Sequence, residues 1–431
     1  MTSRRSFLVG GAASAAWVWI PKPISGYSVG EVRAALSTSA RVSAERGSAD
    51  RPAEPARAGK GISQAGLAKW DLDTPALCVD LDRLDANIAK AQAVLTKNGI
   101  ASRPHAKTHK CAAIAKLQLA AGAIGICTAK LSEAEALFAE GVDKICMTTA
   151  NPSARKIRRA MQLAKRDPQF IQAVDYASNA RDLSGAAKEA GITADVVIDV
   201  AVGTRSGIPP GDDALALAKL VDSLPNLRLR GLLSYDGGAQ HVIGFAARKE
   251  RALKGLEANV ATCEAMKAAG LSTEIFSGGG TGTYSVQHLT PGFTDVQVGS
   301  YVFMDMQYLA IGGEDGDPVY KDFATSLTVI ATILNNRFPG RLTTDAGAKA
   351  LTLNVPRAGV VGEPGMDYNA GSDEFGVITF KEASKSYNIG DRLELIVPHC
   401  DPVVNLYDEI YGTRNDRVEV VWPITARGKS Q

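Results

Sequence analysis

The chain has 431 residues, 45% of them hydrophobic and 22% charged, enough for two or three domains at roughly 150 residues each and too apolar for a disordered chain. Its 48 basic and 46 acidic side chains give a formal charge of +2, and residues 1–45 hold five of the basic and two of the acidic ones. The remainder therefore sits near −1, which leaves no electrostatic footprint for nucleic acid.

The chain opens on Ser3-Arg4-Arg5-Ser6 and continues into an apolar run from Phe7 to Ile20. That run of 14 residues is too short for a transmembrane helix and the right length for a signal h-region. Adjacent arginines, then Phe-Leu, then a weakly apolar Gly/Ala stretch predict a Tat-type leader. Such a leader implies handling by the Tat export machinery, a periplasmic or exported location and no stable membrane span. Residues 1–45 read as leader and start of a linker, and 46–67, rich in Ala, Ser, Arg and Gly, as the rest of that linker.

Composition changes at Trp70, and residues 68–80 read as an N-terminal strand segment, with Ala76–Asp80 placed to pair with a later β domain. Leu84, Ile88, Ala91 and Leu95 then mark one face of a helix over Leu81–Asn98. Short β-like runs follow near 101–106, 124–128, 143–148, 170–174, 195–200, 229–234, 274–277 and 295–298. Helical segments at 131–139, 153–165, 178–190, 212–223 and 247–269 separate most of them. The pattern predicts an α/β chain with a (β/α)8 TIM barrel over residues 81–317. An open doubly wound sheet fits less well, since no G-x-G-x-x-G follows the first strand. From 318 to 425 the strands Ala324–Leu334, Arg392–Val397 and Arg417–Trp422 are interspersed with Gly, Asn, Asp and Pro, which predicts a C-terminal all-β domain. The six cysteines lack paired spacing and read as small buried thiols.

Reactive side chains of such a barrel sit at the C-terminal ends of its strands. The first strand ends in Arg103-Pro104-His105-Ala106-Lys107-Thr108-His109-Lys110. Lys107, at a strand end and bracketed by two histidines, is a candidate amine nucleophile. A glycine-bounded loop after the fifth strand carries Arg205, and the loop after the sixth begins at Tyr235. The seventh ends in Ser277-Gly278-Gly279-Gly280-Thr281-Gly282-Thr283 and the eighth in Val298-Gly299-Ser300-Tyr301. Exposed backbone N–H groups in those two loops suit a phosphate. An amine together with a phosphate cradle points to pyridoxal 5′-phosphate, with Lys107 carrying it. In the β domain, His399 and Asp401 share one face if Val397–Pro402 is a strand. That pair reads equally well as a divalent-metal site or as a hydrogen-bonded pair in a turn.

The segments R-P-H-A-K-T-H-K, S-G-G-G-T-G-T-Y, D-A-G-A-K-A-L at Asp345–Leu351 and H-C-D-P together resemble the fold-type III pyridoxal enzymes of the D-threonine aldolase and D-serine dehydratase family. The resemblance spans about residues 68–425. It implies an alanine-racemase-like barrel with a β domain, a head-to-tail homodimer and an active site between barrel and β domain. It makes Lys107 the Schiff-base lysine and assigns Gly279, Gly280, Thr281, Gly299, Ser300 and Tyr301 to the phosphate. Tyr235 is placed by it near the pyridine ring, Arg205 near the cofactor's hydroxyl side, and His399 and Asp401 at the metal.

Dehydratases of the family resemble a His-x-Cys pair, whose thiolate favours Zn2+. The oxygen ligand Asp401 instead favours Mn2+, Mg2+ or Ca2+, as in D-threonine aldolases. The expected reaction is retro-aldol cleavage of a D-β-hydroxy-α-amino acid to glycine and an aldehyde, with His399, or a metal-bound water it orients, helping to remove the hydroxyl proton. A dehydratase acting on D-serine or D-3-hydroxyaspartate, a racemase and a non-catalytic pyridoxal-phosphate carrier are the alternatives. Phe375 stands where the family often has a histidine, a departure that bears on substrate range.

Overall fold

The computed structural model describes residues 65–431. The leader expected over residues 1–45 and nearly all of the linker expected over 46–67 lie outside the described residues. No helix among the described residues is long and apolar enough to cross a membrane.

Strand β1 (Ala76–Asp80) leads directly into helix α1 (Leu81–Lys97), whose N-terminus is capped by Asp80 accepting from the Arg83 N–H at 3.0 Å. Leu84, Ile88, Ala91 and Leu95 of α1 are buried, so the predicted face is the packed one. The chain then alternates through β2 (Ala101–Ser102), α2 (Ala112–Ala120), β3 (Ile126–Thr128), α3 (Leu131–Ala139), β4 (Ile145–Met147) and α4 (Ala154–Arg166). It continues through β5 (Ile171–Val174), α5 (Ala177–Ala190), β6 (Ala194–Asp199), α6 (Asp212–Ser223) and β7 (Leu227–Ser234). Helices α7 (Phe245–Lys254) and α8 (Glu257–Ala268) precede β8 (Ile275–Gly278) and β9 (Asp295–Val296).

Strands β2 to β9 form one parallel sheet in the order β2-β9-β8-β7-β6-β5-β4-β3. The extension of β2 closes the ring: Cys127 N–H donates to Pro104 O at 2.7 Å, Ala106 N–H donates to Cys127 O at 2.8 Å, and His105 bridges Cys127. This is the expected (β/α)8 barrel. Its strands read as continuous apolar runs because they are covered on both faces. Cys127, Cys146, Ile171, Ala173, Val197, Leu233 and Ile275 fill the interior, and a larger cluster including Leu137, Ile157, Leu183 and Leu217 lies between strands and helices.

The single helix expected over 247–269 is two helices. The break falls at Gly255, where a Cβ would lie 2.8 Å from Asp236 Oδ2 and 2.9 Å from Arg251 O, so the turn needs a residue without a side chain.

After a short helix α9 (Met306–Leu309) the chain builds the β domain from β10 (Leu327–Asn335), β11 (Arg341–Thr344), α10 (Ala348–Leu351), β12 (Gly359–Val360), β13 (Asp367–Ala370), β14 (Gly376–Thr379) and β15 (Arg392–Ile396). Helix α11 (Cys400–Val404) and strands β16 (Glu409–Arg414) and β17 (Arg417–Pro423) complete it. The order is β11-β14-β13-β12-β15-β10-β1-β16-β17, and β11 also pairs with β10, so six of the strands close on themselves. Strand β1 lies between β10 and β16, antiparallel to the first and parallel to the second. The start of the described chain is thereby built into the second domain, and one core cluster runs from α1 through Tyr301 and Phe323 into β10 and β15. All six cysteines are buried and unpaired.

Candidate active site

The cofactor-binding residues proposed from sequence sit on loops leaving the C-terminal ends of the barrel strands. Lys107 lies in the turn after the His105–Cys127 bridge. Its Nζ is 5.6 Å from the ring centre of Tyr235, which directly follows β7. Arg205 places its guanidinium carbon 5.1 Å from the same ring. The loop that aims it is pinched shut by Ile208 N–H donating to Asp199 O and Ala201 N–H donating to Ile208 O, both at 2.9 Å. At Gly207, φ is +91° and a Cβ would meet Ala201 N at 2.7 Å, so only glycine fits there.

Behind Lys107 stands a buried imidazole. His105 Nδ1 accepts from the Lys107 N–H at 3.4 Å, and its Nε2 is 3.3 Å from Thr148 Oγ1. Burial first, then the charges of Lys107, His109 and Arg205, push His105 well below its ordinary value. A neutral ring is what that acceptor role requires.

The triple-glycine loop lies between Gln240 and Gln287. A Cβ on Gly280 would approach Gln240 Oε1 to 2.7 Å, and one on Gly279 would approach Gln287 Oε1 to the same distance. Tyr301 contributes structure: its N–H donates to Thr281 Oγ1 at 3.0 Å, and its hydroxyl accepts from Gln118 Nε2 at 3.1 Å. The Ser300 side chain opposes the upward shift of the Cys400 thiol, whose sulfur donates to Asp401 Oδ1 at 3.6 Å. Among the described residues, the N–H groups of Thr281, Gly299 and Ser300 find no acceptor. Thr108 Oγ1 is buried without a partner and lies 2.7 Å from where a Gly299 Cβ would stand. Unpaired N–H groups and an orphaned hydroxyl beside an amine are the donors a phosphate-bearing aldehyde needs.

The β domain brings His399. The expectation that Val397–Pro402 is a strand is overturned: β15 ends at Ile396, and His399 is the extended N-cap of α11. Prolines at both ends explain this, since Pro398 donates to no ladder and Pro402 fits the first helical turn, where its missing N–H costs nothing. The period-two argument for His399 and Asp401 therefore does not apply. Cys400, expected to point away, has its sulfur within 4.8 Å of ligand atoms of His399 and Asp305.

Asp305, which sequence reasoning missed, is fully buried and receives three bonds. His399 Nδ1 lies 2.8 Å from its Oδ2, the Cys400 N–H donates to the same oxygen at 3.0 Å, and the Tyr308 N–H donates to Oδ1 at 2.9 Å. Burial would raise the carboxyl, but His399 and the two backbone donors hold it below its ordinary value. Burial likewise opposes charge on His399, yet Asp305, aided by Asp401, raises it. With Nδ1 turned to Asp305, the Nε2 of His399 is left for a metal or substrate. Burial, Asp305 and Asp401 push the Cys400 thiol well up.

The two halves meet. The charge of Lys107 acts on His399, and the charges of Asp305 and His399 act on His241. His241, also missed, stacks on Tyr308 with ring centres 4.5 Å apart. The sequence offered only a polar loop after the sixth barrel strand as its signal. Phe375 is 48% exposed, and its N–H donates to Ser372 Oγ at 3.1 Å.

Comparison with known proteins agrees with this architecture. Residues 79–307 match the alanine racemase N-terminal domain and residues 326–413 the putative serine dehydratase domain. The chain is 35% identical over 370 residues to a D-threonine aldolase of an Arthrobacter species, covering 86% of this chain and 96% of that one. It is 33% identical over 367 residues to a 3-hydroxy-D-aspartate aldolase of Paracoccus denitrificans strain Pd 1222, covering 84% and 94%. The crystal structure of a D-threonine aldolase from Filomicrobium marinum superposes with a TM-score of 0.82 at 34% identity, covering 86% of this chain and all of that one. With a barrel and a β domain of matching order and near-complete coverage on both sides, the chain belongs to the fold-type III pyridoxal-phosphate family that joins an alanine racemase N-terminal domain to a serine dehydratase domain.

Proposed function

We propose that this protein is a pyridoxal-phosphate- and divalent-metal-dependent lyase that cleaves D-β-hydroxy-α-amino acids to glycine and an aldehyde. One observation carries the reading: the Lys107 amine lies 5.6 Å from the Tyr235 ring centre, and the hydroxyl of its neighbour Thr108 is buried without a partner against Gly299 of the second glycine loop. Pyridoxal phosphate, when bound, supplies an electron sink for the carbanion left at the substrate's α-carbon. His399 and Asp401 would hold a divalent ion, which would supply Lewis acidity toward the β-hydroxyl.

The chain's own groups do the rest. Lys107 would anchor the aldehyde, the N–H groups of Thr281, Gly299 and Ser300 with Thr108 would hold the phosphate, and Gly279 and Gly280 would leave room for it. Tyr235 and Arg205 would contact the cofactor. Asp305 fixes the orientation of His399 as a metal ligand, and His241, whose charged form burial disfavours, would take the hydroxyl proton. An oxygen ligand at Asp401 favours Mn2+, Mg2+ or Ca2+ over Zn2+.

An absorption spectrum before and after D-threonine, with and without chelator, tests the reading. Acetaldehyde and glycine, lost on chelation, are expected. Release of 2-oxobutanoate and ammonia instead assigns a dehydratase, and protein that takes up no pyridoxal phosphate defeats the proposal.

A head-to-tail homodimer is supported by apolar side chains left exposed on both parts, Tyr176 and Ile243 on the barrel rim and Leu353 and Val355 on the β domain. Ile243 and Val355 line a common cavity of about 1140 Å³; sedimentation of the purified protein decides the point. The Arg4-Arg5 pair and the apolar run after it support Tat export to the periplasm, to be checked by fractionating cells with and without Arg4→Lys/Arg5→Lys.

A further inference from the structure

Arg248 is the largest fully buried side chain among the described residues, 1% exposed, in the first turn of α7. Among them it hydrogen-bonds no carboxylate. Its donors go to backbone carbonyls instead: Nε to Gly282 O at 2.8 Å, Nη1 to Val242 O at 2.9 Å and Ile311 O at 2.8 Å, and Nη2 to Gly312 O at 2.9 Å. Its guanidinium carbon lies 5.4 Å from the Tyr320 ring centre and 5.8 Å from that of Phe245. Burial disfavours its charge and the nearby Asp322 offsets that only in part; a buried cation with no carboxylate bonded to it is costly, so what it joins matters.

It joins three separate pieces of the site. Gly282 ends the glycine loop after β8. Val242 follows His241. Ile311 and Gly312 end the segment whose helix is capped by Asp305. The Gly282 peptide is gripped on both sides, because its N–H donates to Gln240 Oε1 at 3.1 Å while its carbonyl accepts from Arg248. The Tyr320 hydroxyl adds a bond to Thr281 O at 3.0 Å. The cradle's carbonyls are thus tied outward, which leaves the Thr281 N–H free for a ligand.

We propose that Arg248 is a positioning residue that sets the spacing between the phosphate cradle and His241, acting through the carbonyls of Gly282, Val242, Ile311 and Gly312. The inference rests on the cofactor reading above. A planar fork of five donors spans these acceptors, whereas the point-like ammonium of a lysine does not.

The test is titration of apo-protein, wild type and Arg248→Lys, with pyridoxal phosphate and with pyridoxal, which lacks the phosphate. The variant is expected to lose about tenfold in affinity for the phosphate ester and little for pyridoxal. Its kcat for D-threonine cleavage is expected to fall roughly 10- to 100-fold with KM nearly unchanged. A purely structural role lowers the melting temperature and leaves the ratio of the two affinities as in wild type, and that result overturns the inference. Should Arg248→Lys not fold, Tyr320→Phe removes one outward tie from the same loop, and a ratio shifted about threefold is expected; an unshifted ratio overturns the inference equally. A wild type that takes up neither compound overturns the cofactor reading as well, an outcome distinct from normal uptake by both proteins.

Discussion

His399 of the β domain and Asp305 of the barrel's last connection are joined across the domain boundary by a bond of 2.8 Å. The carboxylate is fully buried, its other contacts are backbone N–H groups, and so the imidazole's orientation is fixed before any ion arrives. Carboxylates in this position tune metal ligands, and their loss typically costs 10- to 100-fold in metal affinity. Asp305→Asn is therefore expected to weaken Mn2+ binding by about that factor, measured by titrating metal into chelator-treated protein. Unchanged affinity would show that Asp305 does not tune the metal site through His399.

Removing the amine removes the cofactor's anchor. Lys107→Ala is expected to abolish the visible absorption band of the purified protein and to reduce D-threonine cleavage to background. Retention of that band in the variant would assign the anchor to another lysine.

Metal removal separates oxygen from thiolate ligation. After dialysis against chelator, activity is expected to return with Mn2+ and to return poorly with Zn2+. Asp401→Ala should prevent the rescue. Full rescue by Zn2+ with Asp401→Ala unaffected would shift the ligand role to Cys400, whose sulfur is already close by.

Gly282→Ala is expected to destabilise the protein by about 2–4 kcal/mol, because the new Cβ would fall 2.2 Å from the backbone oxygen of Gln240. Gly203→Ala meets no atom within 4 Å and carries only the strain of its positive φ, so it should cost less. Urea unfolding of the two variants ranks them.

Asp199 gives the pH dependence a definite sign. Burial first, then the charge of Asp175, lift its carboxyl to about 6, against the pull of Arg205 and Ser206. The folded value lies above the unfolded one of about 3.9, so the folded protein binds this proton more tightly. Its stabilising share is present at low pH and is lost as pH rises from about 4 through about 6. Asp199→Asn is expected to be more stable than wild type at pH 8, by about 1–3 kcal/mol, and to show no gain near pH 4. Equal gains at both pH values would rule out charge as the cause.

Much of the barrel was legible in the residues. Runs such as Val196-Val197-Ile198 are buried on both faces, and that requirement is written locally as continuous hydrophobicity. The break at Gly255 was not legible, because a glycine inside a helical pattern is ordinarily tolerated and its cause is Asp236 arriving from a different loop. His399 is legible as a candidate ligand but its geometry is not, because the residues after it begin a helix and the alternation of a strand does not continue.

By itself the amino-acid order determined the strand–helix alternation, Lys107 at the first strand's end and the glycine-rich turns. Each depends on neighbours a few positions apart, where periodicity and backbone freedom operate. Tertiary structure alone decided that Asp305 would hold a histidine 94 residues away and that Arg248 would tie three loops together. Those contacts arise from how the barrel docks on the β domain and how its loops converge, and no local pattern of side chains encodes that distance.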